Sequence, residues 1–211
     1  MKPAALCCVL LLMSGSVRAQ DGQPDSKSDS KPGAQLPPAP EEFVAFFQAY
    51  CLEKFPDDAA LVSAAADGKL VALTQDQTKL FLRNDPGQGW LIEGENGKYI
   101  LTDELPPYHA CAVRHAVRAP FSVTPLRDLA GKYVAAKGHR LVDGEALQTP
   151  MGEGIVSALS SQNEVDEKGV PTGEAFMLAV VSYPPQDQAD GTRSQPFWEI
   201  RFVRQIFRTA A

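Results

Sequence analysis

The sequence has little of what would assign it to the commonest functional classes. It has no excess of positive charge, since 20 Lys and Arg against 26 Asp and Glu give a net charge of −6 and a pI ≈ 5.1. Such a chain has no general attraction for phosphate, which argues against nucleic-acid binding. Aromatic residues make up only 8% of the chain. The 44% of hydrophobic residues is ordinary for a globular protein.

Motifs for catalysis and cofactors are also missing. The sequence contains no G-x-S-x-G, no H-E-x-x-H and no EF-hand spacing. Acid–base chemistry on paired carboxylates needs two residues that meet in space, which a sequence does not show. Asp103/Glu104 and Asp143/Glu145 are candidates for such a pair only because they are close in sequence. We therefore predict no catalytic residue and no cofactor, and we leave open whether the protein is an enzyme, favouring a non-enzyme.

Two of the three histidines form, with a cysteine, a pattern that could bind a metal ion. His109-x-Cys111-x-x-x-His115 combines two ligand types that zinc accepts. The sequence marks no fourth ligand, and Cys111 has a better use as half of a disulfide. We therefore predict no metal site and expect His109, His115 and His139 to lie at the surface or partly buried.

The first nineteen residues have the three-part pattern of a secretory signal peptide. Lys2 gives a positive start, residues 4–13 are an apolar run, and Val-Arg-Ala ends at Ala19. The run is too short to cross a bilayer, which takes about 20 apolar residues. We predict a signal peptide over 1–19 with cleavage between Ala19 and Gln20, a periplasmic or secreted location, and no transmembrane segment in the mature chain.

Cleavage changes both the charge and the cysteine count. Loss of Lys2 and Arg18 leaves 18 basic and 26 acidic residues, a net charge of −8. Cys7 and Cys8 are removed too, since they lie inside the apolar run and not after it as a lipidated cysteine would. Cys51 and Cys111 remain, and an oxidising compartment favours a disulfide between them. A redox-active pair and metal ligation are the alternatives, although the sequence has no C-x-x-C.

Composition divides the rest of the chain into a linker and a domain. Residues 20–40 are rich in Pro, Ser, Asp, Lys, Gly and Gln, and Leu36 is their one large apolar residue. Such a segment buries too little surface to offset the entropy lost on ordering. We predict a disordered linker over 20–40 and a single α+β domain over 41–211.

Two helices are predicted at the start of this domain. Apolar residues recur at i, i+3, i+4, i+7 and i+8 at Phe43, Phe46, Phe47, Tyr50 and Cys51. This spacing is that of a core-facing helix, so the cysteine points inward. Pro56 ends the helix, and Asp57 caps a second one that runs to about Ala66.

Strands follow. The period changes from Lys79 onward, where Leu80–Leu82 is a short apolar run. Trp90–Glu93 and Lys98–Leu101 flank Asn96-Gly97, a strong hairpin signal. His109–Arg114 alternates, which places Cys111 on the face that Val113 shares and ties the first helix to the sheet through the predicted disulfide.

A second block repeats the order of helix and then sheet. Thr124 is predicted to cap a helix that Pro125 opens, and three strands follow at residues 154–162, 174–183 and 197–207. The last strand alternates Trp198, Ile200 and Phe202 against Glu199, Arg201 and Arg204. One face is therefore expected to be buried and the other wet, with arginines able to meet an anionic group. The pattern predicts helices packed on a predominantly antiparallel sheet, and its order suggests two similar α-then-βββ halves.

Three short runs resemble a known family. They are F-x-x-x-C-L-x-K-F-P-D at Phe47–Asp57, W-L-I at Trp90–Ile92 and C-A-V at Cys111–Val113. Together they are similar to a family of small exported proteins of Gram-negative bacteria to which no activity is assigned. The resemblance covers residues 43 to about 115. It implies export and the pairing of Cys51 with Cys111, and it implies no activity.

These observations favour a non-catalytic binding or accessory protein of the cell envelope, expected to be a monomer. Its partner would be an envelope protein or a small ligand. The alternative is an exported hydrolase with a site of carboxylates and histidines assembled in space. A histidine and an acid in one cleft would favour the hydrolase, whereas a sheet edge or flat apolar patch would favour a protein partner.

Overall fold

Helices and strands cover most of the chain from Pro40 onward. The structure is a computed structural model that describes residues 40–119, 121–148, 154–160, 164–165, 171–185, 187 and 190–208. It describes the backbone but not the side chains of residues 142–148, 154–160, 164–165, 171–172 and 207–208. The predicted signal peptide, its cleavage between Ala19 and Gln20, and residues 20–39 of the predicted linker lie outside the described residues.

The helical elements are α1 (Pro40–Phe46), a π-helical segment π1 (Phe47–Leu52), α2 (Asp58–Asp67), α3 (Gln75–Leu82) and α4 (Thr124–Ala136). The strands are β1 (Val71–Ala72), β2 (Gly87–Gly94), β3 (Gly97–Glu104), β4 (Ala110–Val117), β5 (Val142–Gln148), β6 (Gly154–Ser160), β7 (Glu164–Val165), β8 (Pro171–Tyr183) and β9 (Phe197–Arg208). They form one sheet in the order β1-β2-β3-β4-β9-β8-β6-β5, with β7 beside β8. Their pairings are antiparallel. The predicted α+β class and antiparallel sheet are confirmed.

The first two helices follow their sequence signals. The apolar stripe that starts at Phe43 faces the core through α1 and π1, and Pro40 occupies the first turn. The Oδ1 atom of Asp57 accepts a hydrogen bond from the backbone N–H of Ala60 at 3.0 Å, so Asp57 is the predicted cap of α2. In π1 the hydrogen bonds skip one residue more than in an α-helix, as between the N–H of Glu53 and the carbonyl of Gln48.

Three local expectations were wrong. Leu80–Leu82 is the end of helix α3, which Thr74 opens with a capping box to Gln77. Thr124 is the first helical residue of α4 and not its cap, because Val123 holds the cap position without a side-chain hydrogen bond. The second block contains β5 as well as the three predicted strands.

The sheet has an inner face, under α1, π1, α2 and α4, and an outer face on which α3 packs. Inner-face side chains and helices form one core: Phe43, Phe47, Cys51, Leu61, Tyr99, Leu101, Cys111, Val113, Leu126, Phe176, Ile200 and Phe202 are among its members. The hairpin predicted at Asn96-Gly97 is the β2–β3 turn. All described residues fall within one compact unit, and none of the described helices is long and apolar enough to cross a membrane.

The predicted disulfide is present. Cys51 in π1 and Cys111 in β4 are bonded, with Cα atoms 5.4 Å apart. Both residues are fully buried. The bond closes a loop with a sequence separation of 60 residues, for which loss of chain entropy in the unfolded state corresponds to about 4 kcal/mol. It fixes the helical layer to the centre of the sheet.

Arg204 lies on the inner face of β9, so the expectation that it shares the wet face with Glu199 and Arg201 is wrong. Phe202 lies two residues before Arg204 and Ile206 two residues after it, and both pack in the core. Since side chains alternate along a strand, Arg204 shares their face and points inward. The side chain is 2% exposed. Its Nη1 atom donates to the carbonyls of Cys51 at 2.8 Å and Phe55 at 2.6 Å, which lie at and beyond the end of π1.

The charge of Arg204 is balanced inside the core. Its Nε atom donates to Oε1 of the buried Glu174 on β8, and Nζ of Lys137 lies 3.2 Å from the other oxygen of that carboxylate. The guanidinium group also lies over the ring of Tyr133, 4.8 Å from its centroid. A buried charge is tolerated when it is paired and hydrogen-bonded, as it is here. Arg204 therefore connects the sheet, the end of π1 and helix α4.

Glu42 in α1 holds the β2–β3 hairpin in place. Its carboxylate accepts hydrogen bonds from the backbone N–H groups of Glu95 at 2.5 Å and Asn96 at 2.9 Å, and from the Tyr99 hydroxyl at 2.8 Å. Burial tends to raise the pKa of Glu42, but these hydrogen bonds outweigh it and hold that pKa below its usual value. Gly94 is needed here, because a Cβ atom at this position would lie 2.6 Å from Oε1 of Glu42.

Candidate functional site

The structure separates the three histidines that the sequence offered as candidates. His109 precedes β4, His115 lies on its inner face and His139 follows α4. Cys111 belongs to the disulfide, so it is not available to a metal. Among the described residues, no group of three or more His, Cys, Asp or Glu side chains is arranged to hold a metal ion.

His109 is part of a small acidic cluster. Its Nε2 atom donates to Oδ1 of Asp58 at 2.9 Å. Asp103, on the inner face of β3 directly opposite Cys111, is fully buried, and neither of its carboxylate oxygens has a hydrogen-bond partner in the part of the chain that the structure describes. Burial first, then the negative charge of Asp58, raises the pKa of Asp103 to about 6, and His109 partly offsets the rise.

This cluster resembles what the hydrolase hypothesis requires, but its carboxylate Asp103 is closed to solvent, whereas His109 and Asp58 are partly exposed. Asp103 has no exposed surface, and none of the three grooves described below is lined by Asp58, Asp103 or His109. A general base must come within hydrogen-bond reach of a substrate proton. The geometry therefore favours a role of this cluster in stability.

His115 is held in one tautomer under the hairpin. Its ring is stacked on Tyr99, with centroids 4.0 Å apart, and Nδ1 lies 2.9 Å from the carbonyl oxygen of Lys98. A carbonyl has no proton to donate, so Nδ1 carries the hydrogen. Burial lowers the pKa of His115. Burial and the neighbouring Glu42 raise the pKa of Tyr99. Both side chains are thereby kept neutral and act as packing groups.

The remaining sequence candidates do not form a site. Asp103 and Glu104 are neighbours on β3 and point to opposite faces of the sheet, so they do not form a carboxylate pair. The side chains of Asp143 and Glu145 lie outside the described part of the structure. Trp90 is 7% exposed and packs in the core. Trp198 packs against the same core from β9.

Three grooves are described on the surface. One of about 440 Å³ lies beside the short edge strand β1, and one of about 410 Å³ lies along α4. The third, of about 360 Å³, lies on the outer face of the sheet below α3, and we call it the outer-face groove. Its lining residues are Phe81, Leu82, Arg83, Asp85, Thr102, Glu104, Tyr108, Ala110, Ala112, Arg114, Met177, Ala179, Arg201, Val203 and Gln205.

The floor of the outer-face groove is a row of small and apolar side chains. Ala110 and Ala112 of β4 pack with Val203 of β9 and Met177 of β8. These positions alternate with the core residues of the same strands, so they face outward. Since the alanines are short, the surface is lowered between the longer side chains on either side. The groove is therefore formed by the short side chains on the outer face of the sheet.

At one end of the floor, two arginines face each other. Arg114 of β4 is directly opposite Arg201 of β9 in the strand register. Like charges in opposed positions repel, so this arrangement is unfavourable unless negative charge is close. The Oε1 atom of Glu199 supplies one carboxylate, 3.8 Å from Nη1 of Arg114.

Both arginine side chains keep hydrogen-bonding capacity. Nη2 of Arg114 donates to the carbonyl of Phe81 at 2.8 Å, and its guanidinium carbon is 5.4 Å from the centre of the Phe81 ring. The Nε atoms of Arg114 and Arg201 are buried and have no hydrogen-bond partner among the described residues. Burial, and after it the charge of Arg201, lowers the pKa of Arg114 to about 10. The pair is therefore cationic at neutral pH and incompletely satisfied.

The other end of the groove is acidic. Glu104 lines it together with Asp85, which follows α3. Burial, then the negative charge of Asp85, raises the pKa of Glu104, whereas the charges of Arg114 and Arg201 lower it. The arginines therefore act on Glu104 across the groove. Chemically, the groove can accept an anionic group at one end, an apolar portion over the floor and a cation at the other end.

Sequence reasoning found only part of this site. It proposed Arg201 as positive charge on the wet face of β9, and the structure places Arg201 there. It did not connect Arg201 with Arg114 or Glu104, because that requires the strand register between distant segments. No protein-family model, no curated protein and no solved structure matches this chain.

Proposed function

We propose that this chain is an exported, non-catalytic binding protein of the cell envelope and that its ligand site is the outer-face groove. The observation that carries the proposal is the directly opposed pair of Arg114 and Arg201, both of which line this groove. Like charges in opposed positions repel, and an anionic ligand group placed beside them relieves this repulsion. Arginine suits such a role, since its planar group can hold a carboxylate through two hydrogen bonds.

A binding role accounts for the groove better than a catalytic one. Its charged groups lie at its two ends, with an apolar floor between them, and it contains no histidine, cysteine or serine. That arrangement of charged ends and an apolar floor holds a ligand by complementarity. Export rests on the pattern of residues 1–19 and is consistent with the disulfide, which persists in oxidising compartments.

The binding proposal is tested with acetate as the probe. The side-chain N–H resonances of Arg114 and Arg201 are followed by NMR while acetate replaces chloride at constant ionic strength. We expect saturable shifts of both resonances, and we expect Arg201→Gln to abolish the shift at Arg114. Arg140→Gln, which removes an exposed arginine outside the groove, serves as the matched control. Shifts that do not saturate, or that survive Arg201→Gln, contradict the proposal.

Export is tested separately by the mass of the protein from a bacterial envelope fraction. We expect a mass that fits residues 20–211 less about 2 Da for the two hydrogens lost in the disulfide. A retained residue 1, or an added acyl mass on a cysteine, contradicts export by cleavage between Ala19 and Gln20.

A further inference from the structure

The outer-face groove has a charge pattern that selects a class of ligand. Its cationic end lies in the row of β3, β4 and β9 residues that contains Ile100, Arg114 and Arg201, and its acidic end lies in the row that contains Glu104. Ile100 and Glu104 are four residues apart on β3, which corresponds to about 13 Å along the strand. A ligand that uses both ends must therefore be elongated and must carry opposite charges at its two ends.

The cationic end is suited to a carboxylate. Arg114 and Arg201 are directly opposed, Arg83 lines the same groove and its charge acts on Arg114, and Glu199 offsets one of these positive charges. The planar guanidinium group of an arginine can hold a carboxylate through two parallel hydrogen bonds.

The acidic end is suited to an ammonium group. Asp85 and Glu104 both line this end, and burial and then the negative charge of Asp85 raise the pKa of Glu104. A positive group placed between the two carboxylates relieves their repulsion. Tyr108 and Gln205 line the same end and add polar atoms beside it.

The floor and the span set the size of the ligand. Ala110, Ala112 and Val203 leave a shallow surface that fits small side chains. The charged side chains extend from both rows into the groove and shorten the distance that the ligand has to cover. Three extended residues reach about 10 Å. Building on the proposed function, we propose that the ligand is a short peptide of about three small residues with both termini free, its carboxylate at Arg114 and Arg201 and its ammonium group at Asp85 and Glu104.

The test uses calorimetric titration of the folded protein with tri-alanine and two blocked forms of it. N-acetyl-tri-alanine has no ammonium group, and tri-alanine amide has no carboxylate. We expect tri-alanine to bind and each blocked form to bind at least about tenfold more weakly, as loss of one charge-assisted hydrogen-bonding end implies. Because all three peptides are titrated into the unaltered protein, this comparison does not depend on the folding of a variant.

Variants then assign each terminus to its end of the groove. Glu104→Gln should weaken tri-alanine to the level of N-acetyl-tri-alanine and leave the affinity of the acetylated peptide unchanged. Arg201→Gln should weaken the binding of tri-alanine to the level of tri-alanine amide and leave the affinity of tri-alanine amide unchanged. Glu41→Gln and Arg140→Gln, both at exposed positions outside the groove, should leave all three affinities unchanged.

The outcomes separate this proposal from the one on which it rests. If binding needs the carboxylate but is indifferent to N-acetylation, the peptide proposal is overturned while the anion-binding function stands. If neither tri-alanine nor acetate binds at the arginine pair, both are overturned. If tri-alanine binds but Glu104→Gln has no effect, the ammonium group lies elsewhere and the peptide proposal is again overturned.

Discussion

Replacing Asp103 with Asn should raise the free energy of unfolding, relative to that of the unaltered protein, as the pH increases from acid to neutral. Asp103 is fully buried beside the disulfide, and its carboxylate oxygens lack partners among the described residues. Its pKa is raised from 3.8 to about 6, with burial as the main cause and the charge of Asp58 as the next. The folded state therefore holds the Asp103 proton more tightly than the unfolded state does. Asp103→Asn keeps the shape of the side chain and removes its titration.

The sign and size of the effect follow from linkage. Between about pH 4 and pH 6 the folded state binds more protons at this position than the unfolded state, so the free energy of unfolding falls as the pH rises. One pKa unit corresponds to about 1.4 kcal/mol, so a shift from 3.8 to about 6 makes this loss about 3 kcal/mol by pH 7. Asn carries an unpartnered amide instead, at a cost of about 1–3 kcal/mol that does not vary with pH.

The informative quantity is the difference between the two proteins as a function of pH. Equilibrium unfolding in urea, followed by tryptophan fluorescence at intervals from pH 4 to pH 7.5, gives the free energy of unfolding of each. We expect Asp103→Asn to gain about 2.4 kcal/mol relative to the unaltered protein between the ends of this range, because part of the full effect is already lost at pH 4. Asp58 and His109 face Asp103 and are present in both proteins, so their direct contributions largely cancel.

A matched control and a clear contradiction are available. Asp128→Asn removes an exposed carboxylate from α4 and should give a difference that does not change with pH. If the curves of Asp103→Asn and the unaltered protein run parallel from pH 4 to pH 7.5, Asp103 titrates normally and the argument from its burial is wrong.

Two further variants test the contacts of Arg204 and Glu42. Arg204→Met should lower the free energy of unfolding by about 3–5 kcal/mol, because it leaves the Glu174 carboxylate buried without its main partner. Adding Glu174→Gln should recover part of this loss in the same urea titration, and a purely additive double variant would show that the two side chains are not coupled. Charged Glu42 stabilises the unaltered protein above about pH 4.5, and this stability is lost as the pH falls through the lowered pKa of Glu42. The Glu42→Gln variant should lack this stability at all pH values. The free energies of unfolding of the two proteins should therefore converge in acid. A difference between them that persists unchanged to pH 2 would contradict this.

Local signals in the sequence predicted the elements whose structure depends on near neighbours. The stripe from Phe43 to Cys51, the cap at Asp57 and the turn at Asn96-Gly97 each specify a structure within a few residues. The capping box from Thr74 to Gln77 was an equally local signal, and it would have identified α3.

The misplacement of Arg204 has a different physical origin. Alternation in β9 puts residue 204 on the same face as Phe202, but a charged side chain was assumed to be exposed because charge is costly to bury. That cost is met by the carbonyls at the end of π1 and by Glu174, about 150 and 30 residues earlier in the chain. The opposed arginines of the outer-face groove were hidden for the same reason, since Arg114 and Arg201 meet only through the pairing of β4 with β9.

The position of β9 has a consequence for how the chain reaches its folded state. Strand β9 lies between β4 and β8, yet it follows both in sequence, so the strands on its two sides are joined only when residues 197–208 have been added. Strand β9 also carries Arg204 and Arg201, the partner of Arg114 in the opposed pair. A ribosome or a translocation channel that delivers the chain from its N-terminus thus releases two separate, unfinished groups of strands first. For a chain that is exported as proposed, this order delays closure of the sheet until most of the chain has passed the membrane.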